Sequence, residues 1–122
     1  MPAVTVTLLQ SEAATTQCLV DLLYKTFRTV RQAQSFGDLR ISLAEYPSEI
    51  VILDLEVASF PELKGLLRDF PGISVVCNHR LADEEMWAAS LSAGAVDCCA
   101  SSDTQGILRA ASQNYACGRI AA

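Results

Sequence analysis

The chain has 122 residues, 51% of them hydrophobic, and a net charge of −5. That length suits one domain with a real core, and that apolar content excludes an intrinsically disordered segment. The nine Lys and Arg are scattered without a basic run, which argues against a nucleic-acid-binding surface, and no apolar stretch approaches the about 20 residues that span a bilayer.

Met1-Pro2-Ala3-Val4 has neither a basic n-region nor a signal-type apolar core, so a cytoplasmic location is expected. Val4 to Leu9 is apolar and β-branched and reads as the first strand. Ser11 reads as an N-cap, with Glu12 in the first turn of a helix over Ala13 to Phe27. Ala14, Cys18, Leu19, Leu22 and Leu23 recur there at helical spacing. Thr29 to Ala33 predicts a polar second strand at an edge, and Asp38 to Tyr46 a short helix stopped before Pro47.

Glu49 to Leu55 is the central strand. Its Val-Ile-Leu run suits burial on both faces, and Asp54 falls at its carboxyl end, where open α/β sheets place their chemistry. Pro61 opens a helix that runs to Asp69. Pro71-Gly72 is a turn, and Ile73 to Cys77 a fourth strand. Asp83 caps a fourth helix with Met86, Trp87, Ala88 and Leu91 as its apolar members, closed by Gly94 in a left-handed cap. Val96 to Ala100 is a fifth strand, Ser101-Ser102-Asp103 a loop and cap, and Gln105 to about Cys117 the last helix, with Ile107, Leu108, Ala111 and Tyr115 on one face.

Five strands alternating with five helices through short connections predict a parallel sheet with right-handed crossovers. The expected fold is α/β, a flavodoxin-like (βα)5 doubly wound sandwich of strand order 2-1-3-4-5. In that order the loops around Ser11 and Asp54 face each other. The five cysteines, Cys18, Cys77, Cys98, Cys99 and Cys117, match neither a CxxC nor a zinc pattern and read as buried, reduced thiols. Cys98 and Cys99 are expected to point to opposite faces of a strand, which argues against a mutual bridge.

The pattern resembles a bacterial response-regulator receiver domain, from about Val4 to Tyr115. Val51-Ile52-Leu53-Asp54-Leu55 is similar to the phosphoacceptor strand of that family. Leu91-Ser92-Ala93-Gly94-Ala95-Val96-Asp97 is similar to its approach to strand five, and Ser11-Glu12 stands in its acidic loop. The resemblance implies a receiver-like domain over residues 1–118, with 119–122 a tail or the start of a linker to an output domain.

In that family an aspartate takes a phosphoryl group beside Mg2+, which it holds together with an acidic pair, while a lysine and a hydroxyl grip the phosphoryl oxygens. Asp54 stands at the phosphoacceptor position. The acidic pair falls on Gln10 and Ser11, with Glu12 as the neighbouring carboxylate that joins Asp54 as a candidate metal ligand. The hydroxyl falls on Asn78, or on His79 if the loop aligns without a gap. The lysine falls on Ser101, and the switch aromatic of strand five on Cys98.

One function of that site therefore survives, and the implied reading is a degenerate pseudo-receiver without cofactor or enzyme activity. It would signal by phosphorylation-independent protein contact or homodimerisation through helix four, strand five and helix five. Met86, Trp87, Leu91 and Cys98 are the candidates for that face, with Trp87 read either as core or as a partly exposed anchor. The alternative is a genuine phosphoacceptor receiver, in which a histidine kinase phosphorylates Asp54 with Mg2+ to regulate transcription through a DNA-binding output domain. A small-ligand or redox sensor using the switch-point crevice or the thiols is a third. Cys77 and His79 are the only Cys–His pair two residues apart.

Overall fold

The computed structural model describes residues 4–121, and the side chains of residues 4–113. The β-branched runs form β1 (Thr5–Leu9), β2 (Thr29–Gln32), β3 (Ile50–Asp54), β4 (Ser74–His79) and β5 (Asp97–Ala100). All pair in parallel, in the order β2-β1-β3-β4-β5, as the sequence predicts. Between them run α1 (Ala13–Leu23), α2 (Phe36–Glu45), α3 (Phe60–Asp69) and α4 (Glu84–Ser92), and α5 (Thr104–Ala121) follows. The last helix thus continues beyond Cys117. The side chains of Tyr115 and Cys117 lie outside the described residues.

Every residue of β3 is buried, which is why its sequence shows no polar alternation. Alternate residues feed two cores. Ile50 and Ile52 pack with Leu19, Leu23 and Ile107 on one face of the sheet, while Val51 and Leu53 pack with Leu39, Leu63 and Leu66 on the other. Burying each such side chain stabilises the fold by about 1.5–3 kcal/mol before entropy is counted. Cys98 joins the second core and Cys99 packs against the first, as expected for neighbours on one strand.

The helix ends show where local signals hold. Asp83 Oδ1 accepts from Met86 N, and Asp103 Oδ1 from Gly106 N, so both aspartates cap as expected. Ser59 and Glu62 form a capping box in front of α3. Gly94 has φ 108°, a backbone conformation that demands glycine, and a Cβ there would also displace Leu67 Cδ1, 2.7 Å away.

Four expectations need correction. Ser11 is not the N-cap of α1. Glu12 holds that position, without a side-chain cap, because the Ser11 hydroxyl is engaged elsewhere. Helix α1 stops at Leu23 rather than Phe27, in a turn where Phe27 N donates to Leu23 O. Helix α2 starts at Phe36, since Ser35 Oγ accepts from Asp38 N and places Asp38 inside the first turn. Strand β4 runs through Asn78 and His79, because Asn78 pairs with Asp54 on one side and Cys99 on the other. Among the described residues no helix is long and apolar enough to cross a membrane.

Candidate functional site

Strands β1 and β3 are neighbours, so their carboxyl ends bring residues 43 positions apart into contact. Asp54 is 2% exposed. Its Oδ2 accepts from Ser11 N at 2.9 Å and from Ser11 Oγ at 2.6 Å, and its Oδ1 accepts from Glu56 N at 2.9 Å. Both carboxylate oxygens are therefore held by protein donors. Hydrogen bonds to an ionised acceptor are roughly twice as strong as neutral ones, so this carboxylate ties the β1–α1 loop to the β3–α3 loop.

A neutral network adjoins it. Gln10 Nε2 donates to Asn78 Oδ1 at 2.8 Å, and Asn78 Nδ2 donates back to Gln10 Oε1 at 3.0 Å. Asn78 Nδ2 also donates to Ser101 Oγ at 2.8 Å. Asn78 is fully buried and Ser101 nearly so, and their mutual bonding removes the cost of burying amide and hydroxyl without partners. Gln10, Asn78 and Ser101 thus link the ends of β1, β4 and β5.

All the positions singled out around Asp54 in the sequence converge here except Glu12, His79 and Cys98. Glu12 is exposed at the start of α1 and makes no side-chain bond to Asp54. Cys98 is buried beneath α4 in the second core, so it does not form part of an exposed contact face. Glu56 holds Asp54 through its backbone amide. Its carboxylate Oε1 accepts from Arg80 Nε at 2.7 Å, which matches the positive charge brought by the loop after β4.

The donor set does not fit a hard dication. Such an ion needs several free oxygen ligands, most of them anionic. Here both oxygens of Asp54 are engaged, and the Gln10 carbonyl oxygen is bonded to Asn78. A crevice of about 420 Å3 beside Ser11 is lined by amides and hydroxyls, with Glu12 as its one carboxylate. No group of three His, Cys, Asp or Glu is placed to hold a metal ion among the described residues.

His79 Nδ1 accepts from Leu81 N at 3.0 Å, which ties the imidazole to its own loop. The three thiols of β4 and β5 offer no ready nucleophile. Burial pushes Cys77 up to about 12, with nearby Cys98 adding to the effect. Burial, then the charges of Asp97 and Asp103, push Cys99 up to about 12. Cys98 is also raised, first by burial, against a lowering hydrogen bond from Ser90. The thiolate is the reactive form, so these three are unreactive near neutrality. Cys18 departs from the buried expectation and is exposed on α1.

On α4, Trp87 is 47% exposed, and its Nε1 donates to Asp97 Oδ1 at 3.2 Å. That settles Trp87 as a surface residue held in place, rather than core. Met86 is half-buried against the second core, and Leu91 is half-buried.

No protein-family model and no curated protein matches the chain. Solved structures do. A response regulator receiver domain protein (CheY-like) from Methanospirillum hungatei JF-1 matches with a TM-score of 0.85 and 13% identity, over 99% of this chain and 100% of that one. The signal receiver domain of an HD domain-containing protein from Pseudomonas fluorescens Pf-5 matches at 0.84 and 18% identity, over 97% and 98%. The signal receiver domain of a DNA-binding response regulator from Colwellia psychrerythraea 34H matches at 0.81 and 14% identity, over 92% and 98%. With its strand order and helix placement, the chain has the fold of a response-regulator receiver domain.

Proposed function

We propose that the protein is a signalling module of receiver type that works by protein contact without phosphorylation. The observation that carries this reading is the closure of Asp54 by Ser11 and Glu56 beside the neutral Gln10–Asn78–Ser101 network. Phosphoryl transfer to a carboxylate needs positive charge to offset the anionic donor. Each charge-assisted contact of that kind is worth about 2–4 kcal/mol in the transition state. With Ser101 in place of a lysine and Gln10 and Ser11 in place of an acidic pair, two or three such contacts are lost. The reaction then slows by several orders of magnitude. Asp54 serves instead as a structural acceptor, and the module has no enzyme activity and no resident cofactor.

The contact surface in this reading is the face of α4, β5 and α5, with Trp87 as its anchor. A half-exposed Trp fixed by Asp97 loses little side-chain entropy on binding, which is what makes such residues effective at interfaces. The partner is another protein or a second copy of this chain, in the cytoplasm. The neighbours from an HD domain-containing protein and from a DNA-binding response regulator support attachment to an output domain.

The test is incubation with magnesium and acetyl phosphate, followed by intact mass measurement. The expected result is no adduct. A stoichiometric, magnesium-dependent adduct that disappears in Asp54→Asn would establish the rival reading, a true phosphoacceptor served by a histidine kinase.

A further inference from the structure

The amino end of the sheet holds a cavity that the signalling reading does not use. It measures about 470 Å3 and lies between the ends of α2 and α3, lined mostly by apolar side chains that include Leu43, Pro47, Phe70 and Ile73. Its volume falls within the about 300–1,000 Å3 range of small-molecule sites. Its polar lining comes from Ser48 and Glu49. Ser48 is buried and bonded to Thr7, with 2.6 Å between their hydroxyl oxygens, so it has little to offer a ligand.

Glu49 differs. Its backbone is pinned between β1 and β4, where Glu49 N donates to Thr5 O and Ser74 N donates to Glu49 O. Its Oε2 accepts from Thr5 N at 3.1 Å, while Oε1 has no protein donor among the described residues. The carboxylate is thus held at the cavity with one acceptor oxygen unused.

The two helix ends add to the same sign of charge. Helix α2 ends before Tyr46-Pro47, and α3 ends before Phe70-Pro71. A proline has no N–H, so the carbonyls of Leu43 and Leu67 lack the donor that a fourth following residue normally supplies. Helix carboxyl ends carry partial negative charge. Arg40 lies over the Phe70 ring at 5.6 Å, with its guanidinium paired to Asp69, which Arg68 also approaches. The cavity therefore joins apolar walls to a fixed carboxylate and two helix ends of negative polarity.

We propose that this cavity binds a small organic cation with an apolar body, an arylalkyl or alkyl amine, whose ammonium donates to Glu49 Oε1. An anion of the same shape meets the carboxylate and both helix ends and is excluded. A neutral alcohol of the same shape fills the walls without the charge-assisted bond.

The test uses phenethylammonium, 2-phenylethanol and phenylacetate as probes of matched shape, titrated into 15N-labelled protein and read from backbone amide shifts. Phenethylammonium is expected to saturate, with shifts centred on the amides of Glu49, Gly72 and Ile73. The alcohol is expected to bind about tenfold more weakly, the loss of one charge-assisted hydrogen bond, and phenylacetate not to bind. Glu49→Gln keeps an oxygen for Thr5 N and is expected to bring the amine to the level of the alcohol. Equal responses to all three probes, shifts scattered over the surface, or no saturation by the amine would each overturn the proposal. Since the wild-type probe series stands alone, a Glu49→Gln protein that failed to fold would leave the test intact.

Discussion

At the carboxyl end of the sheet, Asp54, Ser11, Gln10, Asn78 and Ser101 are bonded to one another or to adjacent backbone, whereas at the amino end Glu49 keeps a carboxylate oxygen free beside an apolar cavity. The end at which α/β sheets usually place their chemistry is closed, and the opposite end is open. Closure has a physical origin. A buried carboxylate and a buried amide are costly unless bonded, and once cations are absent the neighbouring side chains become the available partners. A carboxylate whose two oxygens both meet protein donors acts as a structural tie, while a carboxylate held by one backbone N–H remains free to bind.

The largest effect is expected from removing the closed carboxylate. Asp54→Ala leaves the Ser11 and Glu56 donors without their acceptor and should lower unfolding free energy by about 2–3 kcal/mol, as read by urea denaturation. Unchanged or increased stability would break the comparison. The next effect concerns the amide pair. A double-mutant cycle of Gln10→Ala and Asn78→Ala should show a coupling of about 1 kcal/mol, since the two side chains bond each other twice. Additive losses would mean that the network is not continuous. At the open end, Glu49→Ala removes one exposed hydrogen bond and should cost less than about 1 kcal/mol.

The smallest effect belongs to Asp69. Hydrogen bonds from Arg40 and then Arg68 hold its carboxyl below the usual value of 3.8. A lowered folded value means that the pairing contributes fully above the unfolded value and is lost as pH falls through the folded one. Asp69→Asn should therefore lose a small contribution near neutrality and converge with the wild type in acid, so that its stability falls less steeply, a difference read from denaturation midpoints between about pH 5 and 2.

Much of the fold was legible because each strand carries its own signal. The Val-Ile-Leu run of β3 announces burial on both faces, and Asp83 and Gly94 mark the ends of α4 through local chemistry alone. The site was half legible. Strand order places Ser11 opposite Asp54, and the positions occupied by Gln10, Asn78 and Ser101 could be named one by one. Their bonding could not. Ser11 read as an N-cap because a serine before a helix usually is one, and only a carboxylate 43 positions away diverts its hydroxyl. The Gln10–Asn78 pair spans 68 positions. Asn78 read as loop because its polarity concealed a buried place in β4. Cys18 and Cys98 show the same limit, since a thiol has no signal that separates an exposed helix position from the core.

The central claim is that Asp54 is held by protein donors rather than by a cation and a phosphoryl group. The backbone amides of Ser11 and Glu56 donate to it and report its state directly. The most direct measurement follows those two amide resonances while magnesium and then beryllofluoride are added to the 15N-labelled protein. The account predicts that both stay in place, together with the side-chain amide signals of Gln10 and Asn78. A saturable, magnesium-dependent shift of Ser11 and Glu56 that is absent in Asp54→Asn would contradict it.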